Sequence, residues 1–165
     1  MKKVFLTLAL VLTTVVASAQ WYVGGGLGLA FEKHEDDKAT NFEINPEVGY
    51  KINDNFAVGA VLGFEYSKVN DGDGETGFSI EPYARYTFLR IGDFSAFVDG
   101  VVGFEKKEDA KAWNVGVKAG VAYSINDTWG VAARLGHLGY TKYDETSKFG
   151  IELGNALSFG VYYNF

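Results

Sequence analysis

The sequence lacks cysteine altogether, and its 165 residues include only two prolines and two histidines. Without cysteine the chain forms no disulfide and carries no thiolate chemistry. With His34 and His137 as its only imidazoles, it also has few groups for a nucleophile and base pair. Basic residues are scarce too: 15 lysines and arginines stand against 21 acids, a formal net charge of −6. This balance argues against nucleic-acid binding, which needs clustered basic side chains.

Long apolar runs are also missing after the first twenty residues. The run VFLTLALVLTTVVA follows Lys2 and Lys3 and ends at the small-residue pattern Ala17-Ser18-Ala19. These features predict a cleaved signal peptide over residues 1–19 and a mature domain over residues 20–165. A membrane helix is the alternative interpretation, but the run is short for one. If the mature chain crosses a membrane, it therefore does so as strands.

Glycine and aromatic residues are abundant: the chain has 21 glycines, 13 phenylalanines, 10 tyrosines and 3 tryptophans. From Trp21 to Phe31 the odd positions are mostly bulky and the even ones mostly small, the period of a strand with two unlike faces. Short turns alternate with longer charged loops, so the two kinds of connection lie at opposite ends of one sheet. The same period predicts eight strands, at about residues 21–31, 41–52, 56–67, 77–88, 94–105, 112–125, 129–142 and 149–165.

An internal repeat supports this organisation. The segment VGYKINDNFAVG at 48–59 resembles VAYSINDTWGVA at 121–132. Each copy places Ile-Asn-Asp between two alternating segments, which is the composition of a tight turn between strands. Duplicated hairpins are a simple source of an even-stranded closed barrel.

Each predicted strand has one apolar face and one face of small or charged residues. On the third strand, Phe56, Val58 and Phe64 lie on the first face, and Gly59 and Gly63 on the second. Alternation alone does not say which face points outward, because a soluble lipocalin-like barrel has the same period. Eight strands enclose a lumen that side chains just fill, and the bulky face is too large for it. We therefore predict that the apolar face contacts lipid and that glycine leaves room inside for charged side chains.

Strand length and aromatic positions fit a membrane. Eleven residues at about 3.4 Å each, tilted by about 45°, rise about 26 Å, near the roughly 25 Å apolar band of outer-membrane barrels. Aromatic residues gather near both strand ends, as interfacial side chains do, although strand propensity alone would scatter them. On the short-turn side they are Trp21, Tyr50, Phe56, Phe88, Phe94, Tyr123, Trp129 and Phe165, and on the long-loop side Phe31, Phe42, Phe64, Phe78, Phe104, Trp113 and Phe149.

With its signal peptide, eight alternating strands, alternating connections and terminal Tyr163-Asn164-Phe165, the sequence resembles the small porin-family outer-membrane barrels of Gram-negative bacteria, of the OmpA-transmembrane and OmpX type. The resemblance implies an all-β, eight-stranded antiparallel up-and-down transmembrane β-barrel surrounded by outer-membrane lipid. It also implies that Tyr163 and Phe165 belong to an assembly signal read by the barrel-assembly machinery. Eight strands close without a second chain, so we expect a monomer.

Charged residues of the inward face are predicted to meet in the lumen. Counted from the short turns, three acids and three bases fall near one level, where they are tolerated only when paired. The expected ion-pair network, which would plug the lumen, contains Glu47, Glu81, Arg85, Asp99, Lys118 and Arg134. An acidic vestibule open toward the loops is expected above it, formed by Glu32, Glu43, Glu65, Glu105 and Glu152. An open polar pore is the alternative to the plug. The vestibule is interpreted either as a set of solvated carboxylates at the mouth or as an entrance that attracts cations.

Three classes of function remain open: a structural or surface-interaction barrel, a narrow small-solute or cation channel, and a lipid-modifying enzyme of the outer leaflet. We predict no catalytic residue, because His137 is followed by Leu138-Gly139 and lacks the His-x-Ser pattern of lipid A deacylases, and because nothing in the spacing pairs His34 with a nucleophile. No cofactor is expected. Loop composition does not identify a partner for the loops.

One acidic loop is a weak metal candidate. Its residues Asp71, Asp73 and Glu75 alternate as the first ligands of a calcium loop do. The later glutamate ligand and the flanking helices are missing, so a flexible acidic turn is the preferred interpretation.

Four residues fit the barrel less well. Pro46 and Pro82 fall inside predicted strands, where each would remove a ladder hydrogen bond, so we predict bulges there. His137 and Asn155 fall on the nominal lipid face near the outer rim. A shift of register or the head-group zone would accommodate them.

Overall fold

The computed structural model describes residues 20–34, 37–69, 74–107, 110–143, 146–152 and 158–165. Within these ranges all regular secondary structure is β-strand, and no helix is long and apolar enough to cross a membrane. The strands are β1 (Trp21–His34), β2 (Asp37–Lys51), β3 (Phe56–Val69), β4 (Glu75–Ile91), β5 (Phe94–Lys107), β6 (Ala110–Ser124), β7 (Trp129–Tyr143), β8 (Thr146–Glu152) and β9 (Ser158–Asn164).

The strands close into an antiparallel barrel. From β1 to β7 each strand pairs with the next along the chain. β8 and β9 both pair with β7, and β9 also pairs with β1, so these two segments form the eighth wall strand and close the sheet. The predicted fold, an eight-stranded up-and-down barrel, is confirmed. The predicted eighth strand, 149–165, covers both segments and residues 153–157, which lie outside the described residues.

The strands extend further toward the long-loop end than the sequence predicts. β1 continues to His34, which pairs with Asp37 on β2, and β5 continues to Lys107, which pairs with Ala110 on β6. The predicted strands ended at the last residue of the regular alternation between apolar and small or charged side chains. Backbone pairing continues beyond that point because each ladder bond satisfies a donor and an acceptor whatever the side chain is.

The apolar face points outward, as predicted. On β3, Phe56, Val58 and Phe64 are exposed, whereas Ala57 and Gly63 between them are buried. The same alternation holds on β6, where Val115 and Val121 are among the exposed residues. Since the interior of an eight-stranded barrel holds little volume, the bulky side chains occupy the surface and the lumen is left to a small polar core.

A bulge in β7 reverses the inward and outward faces at Gly136. Two β7 residues, Gly136 and His137, stand opposite Lys118 between the pairs Val117–Leu138 and Ala119–Leu135, and Gly136 has a φ of 60°. A bulge with glycine in the left-handed region is a known way to change strand phase. His137 consequently turns into the lumen and is only 9% exposed, so its predicted position on the lipid face is wrong. Of the two explanations offered from the sequence for His137, a register shift and the head-group zone, the register shift is the one that the structure shows.

The two prolines interrupt hydrogen bonding without shifting the register, so the predicted bulges are wrong. Pro46 falls between the pairs Ile44–Phe64 and Glu47–Val61, and the two pairs keep one register. Pro82 interrupts the β4–β5 ladder in the same way. On their other sides both prolines keep Cα partners, Gly25 and Ala60. A missing N–H donor therefore removes local pairing on one side only.

The two repeated Ile-Asn-Asp turns have the same hydrogen bonds. The Asn53 side-chain oxygen accepts from the backbone N–H groups of Asn55 and Phe56, both at 2.9 Å. The Asn126 oxygen accepts from those of Thr128 and Trp129, at 2.9 and 2.7 Å. An asparagine that binds backbone amides two and three residues ahead fixes a tight turn.

Replacing Asn53 or Asn126 by Ala should therefore lower the free energy of unfolding by about 1 kcal/mol each, the usual contribution of a hydrogen bond that water can partly replace. The measurement is the midpoint of urea unfolding in lipid vesicles at unchanged m-value. Asp127→Ala, which changes an exposed neighbour in the same turn, is the control and should leave the midpoint in place. Equal effects of all three substitutions would contradict the capping role.

Aromatic side chains form cross-strand pairs near the short-turn rim. Trp21 lies against Tyr50, Phe56 against Tyr86, Phe94 against Tyr123 and Trp129 against Tyr163, with ring centroids 4.7–5.1 Å apart. Toward the other rim, Phe64 packs on Phe78 and Trp113 on Tyr140, at 5.4 Å in both cases. These paired rings thus gather at the two levels that the interfaces of a membrane would occupy.

Candidate functional site

The core of the lumen is built around the carboxylate of Glu47, which is 5% exposed. Arg134 Nη2 donates to both of its oxygens at 2.8 Å, and Arg85 Nη2 lies 3.7 Å from Oε1. The hydroxyl of Tyr162 donates to Oε2 at 2.7 Å, and that of Tyr83 donates to Oε1. Glu47 is therefore held from β4, β7 and β9 at once.

A second carboxylate, Asp99 on β5, completes the cluster. It is 1% exposed and accepts from Arg85 Nε at 2.7 Å and Arg85 Nη2 at 2.8 Å. Arg134 Nε donates at 3.0 Å to Asp99 Oδ2, the oxygen that also accepts from Arg85 Nη2. Two arginines and two carboxylates thus alternate in a ring, which we call the charge ring: Glu47, Arg134, Asp99 and Arg85. Such burial is tolerable because each charge has opposite charges on both sides and charge-assisted hydrogen bonds.

Aromatic side chains fill the space around the charge ring. The Arg85 guanidinium lies 4.0 Å from the centroid of the Phe97 ring, which is 1% exposed. Tyr22 and Tyr83 share a hydrogen bond between their hydroxyls, and Tyr162 packs edge-on against Tyr22. A guanidinium over an aromatic face is attracted by the ring quadrupole, so these rings hold the arginines as well as excluding water.

The remaining two residues of the expected network form a separate pair. Lys118 Nζ donates to Oε1 and Oε2 of Glu81 at 2.6 and 2.7 Å, and both side chains are more exposed than the charge ring. The sequence-based count placed all six charges near one level. The structure separates them because inward residues two positions apart on a strand, such as Glu81 and Tyr83, stand at successive heights in a tilted barrel.

Sequence reasoning missed the inward aromatics. It described the inward face as small or charged and named no aromatic residue for the lumen, where the structure places Tyr22, Tyr83, Phe97 and Tyr162. The sequence did contain this information, because residues two positions apart on a strand lie on the same face. Tyr83 lies between Glu81 and Arg85, and Phe97 two residues before Asp99, so each shares the inward face with a charged residue.

Two cavities lie on opposite sides of the charge ring. The lower one, about 440 Å³, opens among the short turns and is lined by Arg85, Phe97 and Tyr162 on its inner side. The upper one, about 240 Å³, is lined by Glu81 and Lys118. None of the residues that the structure describes lines both cavities. Across the described residues, the charge ring and its aromatic packing occupy the lumen between them.

His137 lines the upper cavity together with Asn114 and Thr141. Its ring covers Gly116 and Gly139, where a Cβ atom would clash with the imidazole. His137 Nε2 and Asn114 Oδ1 are buried and have no hydrogen-bond partner among the described residues. The two glycines therefore leave the space that the imidazole occupies, and His137 belongs to the lumen rather than to the lipid interface.

The structure describes the expected vestibule only in part. Glu43 is exposed and accepts from Asn45 Nδ2 at 2.7 Å, and it stands opposite Glu65 in the β2–β3 ladder. Glu65 and Glu105 are half-buried and each has an interaction partner. The side chains of Glu32, Glu152 and His34 lie outside the described residues, as do Asp71, Asp73 and Asn155. Glu75 is exposed at the start of β4.

The chain end is integrated into the barrel wall. Backbone N–H groups of Asn164 and Phe165 donate to the carbonyls of Thr128 and Trp21 at 2.7 and 3.1 Å. The Tyr163 and Phe165 rings are in contact, with centroids 5.0 Å apart. Their role as an assembly signal stays a prediction.

The barrel architecture of this chain is also found in a known protein family. Residues 4–165 match the family model described as outer membrane protein beta-barrel domain. The chain belongs to this family. An outer-membrane barrel of this kind lies in the outer membrane of a Gram-negative bacterium, and its outward apolar face is the surface in contact with lipid.

Two solved outer-membrane barrels have a similar fold. Neisserial surface protein A is 20% identical with a TM-score of 0.57, and the match covers 90% of this chain and 98% of that one. OprG from Pseudomonas aeruginosa is 12% identical with a TM-score of 0.53, and the match covers 88% of this chain and 96% of that one. At such low sequence identity, the two similarities indicate a shared fold and nothing about function. A search of the curated proteins finds no match.

Proposed function

We propose that this outer-membrane barrel is a non-conducting structural and surface-interaction protein whose lumen is plugged by the charge ring. The observation that carries the proposal is the enclosure of Glu47 by Arg134, Arg85, Tyr83 and Tyr162 in the centre of the barrel. These four side chains come from three different strands. An ion moving along the axis would have to separate charges that are within hydrogen-bond distance of each other.

The charge ring also favours a non-catalytic role. The carboxylates of Glu47 and Asp99 already accept hydrogen bonds from arginine, so neither is available as a general base. The hairpin ends beyond the long-loop rim are then the part of the barrel that meets external partners. Surface loops positioned by a rigid scaffold commonly carry such contacts.

A narrow channel is the second candidate. Its support is the pair of polar cavities on either side of the charge ring, because among the described residues this ring and its aromatic packing are what lies between the two cavities. Movement of the arginine side chains would then open a path, and the glutamates on the inner wall near the long-loop mouth would favour cations.

Single-channel recording in planar bilayers separates the two candidates. We expect the wild-type barrel to give no resolved openings, and the double variant Glu47→Ser/Arg134→Ser to give small steady ones, because it removes one acid and one base together and leaves space in their place. A second double variant, Glu81→Ser/Lys118→Ser, is the matched control, since it removes a pair above the charge ring. Regular cation-selective openings of the wild type would contradict the plug and support the channel.

A further inference from the structure

An outward-facing group of lysines lies at the long-loop rim, on the side formed by β4 to β7. Lys106 on β5 and Lys111 on β6 are direct cross-strand partners, and Lys142 on β7 is the partner of Trp113. All three lysines are exposed and line one surface hollow of about 470 Å³. We call these three residues the lysine cluster. Like charges placed directly opposite each other in a sheet are destabilising unless a counter-charge lies between them.

The floor of the hollow is apolar. Phe104 pairs with both Ile80 and Trp113 in the ladders, and Phe78 pairs with Lys106, so the lysines lie around and above a surface of aromatic and aliphatic side chains. These four apolar residues are all exposed on the outside of the barrel. A ligand in this hollow would meet amines at its top and hydrocarbon below.

The height of the lysine cluster corresponds to the level of lipid head groups. Phe94 belongs to the short-turn aromatic rim, and Phe104 lies ten residues further along β5. At about 2.4 Å of rise per tilted residue, this is about 24 Å, close to the roughly 25 Å apolar band. Lys106 lies one outward position higher, just beyond the hydrocarbon and on the external side of an outer-membrane barrel.

The ion pairs within the lumen, from the charge ring to Lys118–Glu81, do not include these three amines. Among the described residues that line the hollow, Glu105 is the one acid, and it belongs to the inward face of β5. Amines at the edge of the hydrocarbon with an apolar surface beneath them match an amphiphile that has a negatively charged head and acyl chains.

We propose that the lysine cluster and its apolar floor form a binding site for a phosphorylated lipid of the outer leaflet. The phosphate lies between Lys106, Lys111 and Lys142, and an acyl chain lies against Phe104 and Trp113. The phosphate relieves the repulsion between the paired lysines. The acyl chain covers apolar side chains that lie at the depth of the membrane hydrocarbon.

The test compares retention of a defined lipid. The full barrel is reconstituted in phosphatidylcholine nanodiscs that contain a small fraction of lipid A, a phosphorylated glycolipid, and lipid carried with the released protein is measured by native mass spectrometry. Near a membrane surface each lysine contributes about a fivefold change in affinity, so Lys106→Gln/Lys111→Gln/Lys142→Gln should lower retention on the order of a hundredfold. Lys111→Gln alone should lower it about fivefold and serves if the triple variant does not fold.

Two controls make the result specific. The variant Lys51→Gln/Arg90→Gln removes two exposed charges from the short-turn rim, at the opposite side of the membrane, and it should retain lipid at the wild-type level. Lipid A without its phosphates should not be retained above phosphatidylcholine. An equal loss in this double variant and in the triple variant, or equal retention of the dephosphorylated lipid, would overturn the proposal. Complete displacement by inorganic phosphate at constant ionic strength would also overturn it, because it would indicate a simple anion site.

Discussion

Replacing Glu47 by Gln is expected to lower the free energy of unfolding by about 3 to 5 kcal/mol, the usual effect of removing one partner from a buried ion pair. Glutamine keeps the shape of the side chain but loses the charge that holds Arg134 and Arg85. Its amide also places N–H donors where the arginines already present donors. The two buried guanidinium groups would then share the single carboxylate of Asp99.

The measurement is urea unfolding of the barrel in lipid vesicles, with the m-value checked to confirm that the unfolded state is unchanged. Glu43→Gln on the same strand is the matched control, since Glu43 is exposed and makes one side-chain hydrogen bond to Asn45. We expect it to change stability by less than about 0.5 kcal/mol. A similarly small effect of Glu47→Gln would show that the charge ring contributes little to the barrel.

Placing an arginine on the outer face at the middle of the membrane is expected to destabilise the barrel by about 2 to 4 kcal/mol. Val117 is suitable, because it is 42% exposed on the outer side of β6 and lies between Trp113 of the long-loop rim and Tyr123 of the short-turn rim, near the middle of the band. Val117→Arg would place a guanidinium in hydrocarbon, where neither water nor a carboxylate of the outer face can accept its hydrogen bonds.

Ile125→Arg is the control for depth. Ile125 follows the end of β6 in the short turn and is 56% exposed, so an arginine there reaches the interface and should cost between zero and about 1 kcal/mol. Both variants are unfolded in the same vesicles. If Val117→Arg is no more destabilising than Ile125→Arg, the outer face is not the lipid-facing one.

Much of the architecture follows from the period of alternation. The phase of β3 and β6 was sufficient to assign each residue to one of two faces, and the limited volume of an eight-stranded lumen decided which face is outside. The inward phase also includes Glu47, Asp99 and Arg134, so their meeting in the lumen could be anticipated. The period did not identify partners, because Glu47 and Arg134 are brought together by closure of the barrel and not by sequence spacing.

The features that sequence reasoning missed depend on backbone geometry. Gly136 gave no sign that it has a left-handed φ, and the bulge there changes the face of every later residue of β7, including His137. The prolines in β2 and β4 were expected to cause bulges, yet the barrel keeps its register around them. Local sequence indicates where a ladder is weakened, and the neighbouring strands decide whether the register shifts.

By itself, the sequence determined an all-β barrel with an apolar exterior and a charged interior, because side chains of a strand alternate between two faces and only the small or charged face fits a narrow lumen. Only the tertiary structure decided which charges meet. The stagger and closure of the strands set the height of every inward residue, so Glu47, Arg134, Asp99 and Arg85 form one ring while Glu81 and Lys118 pair above it.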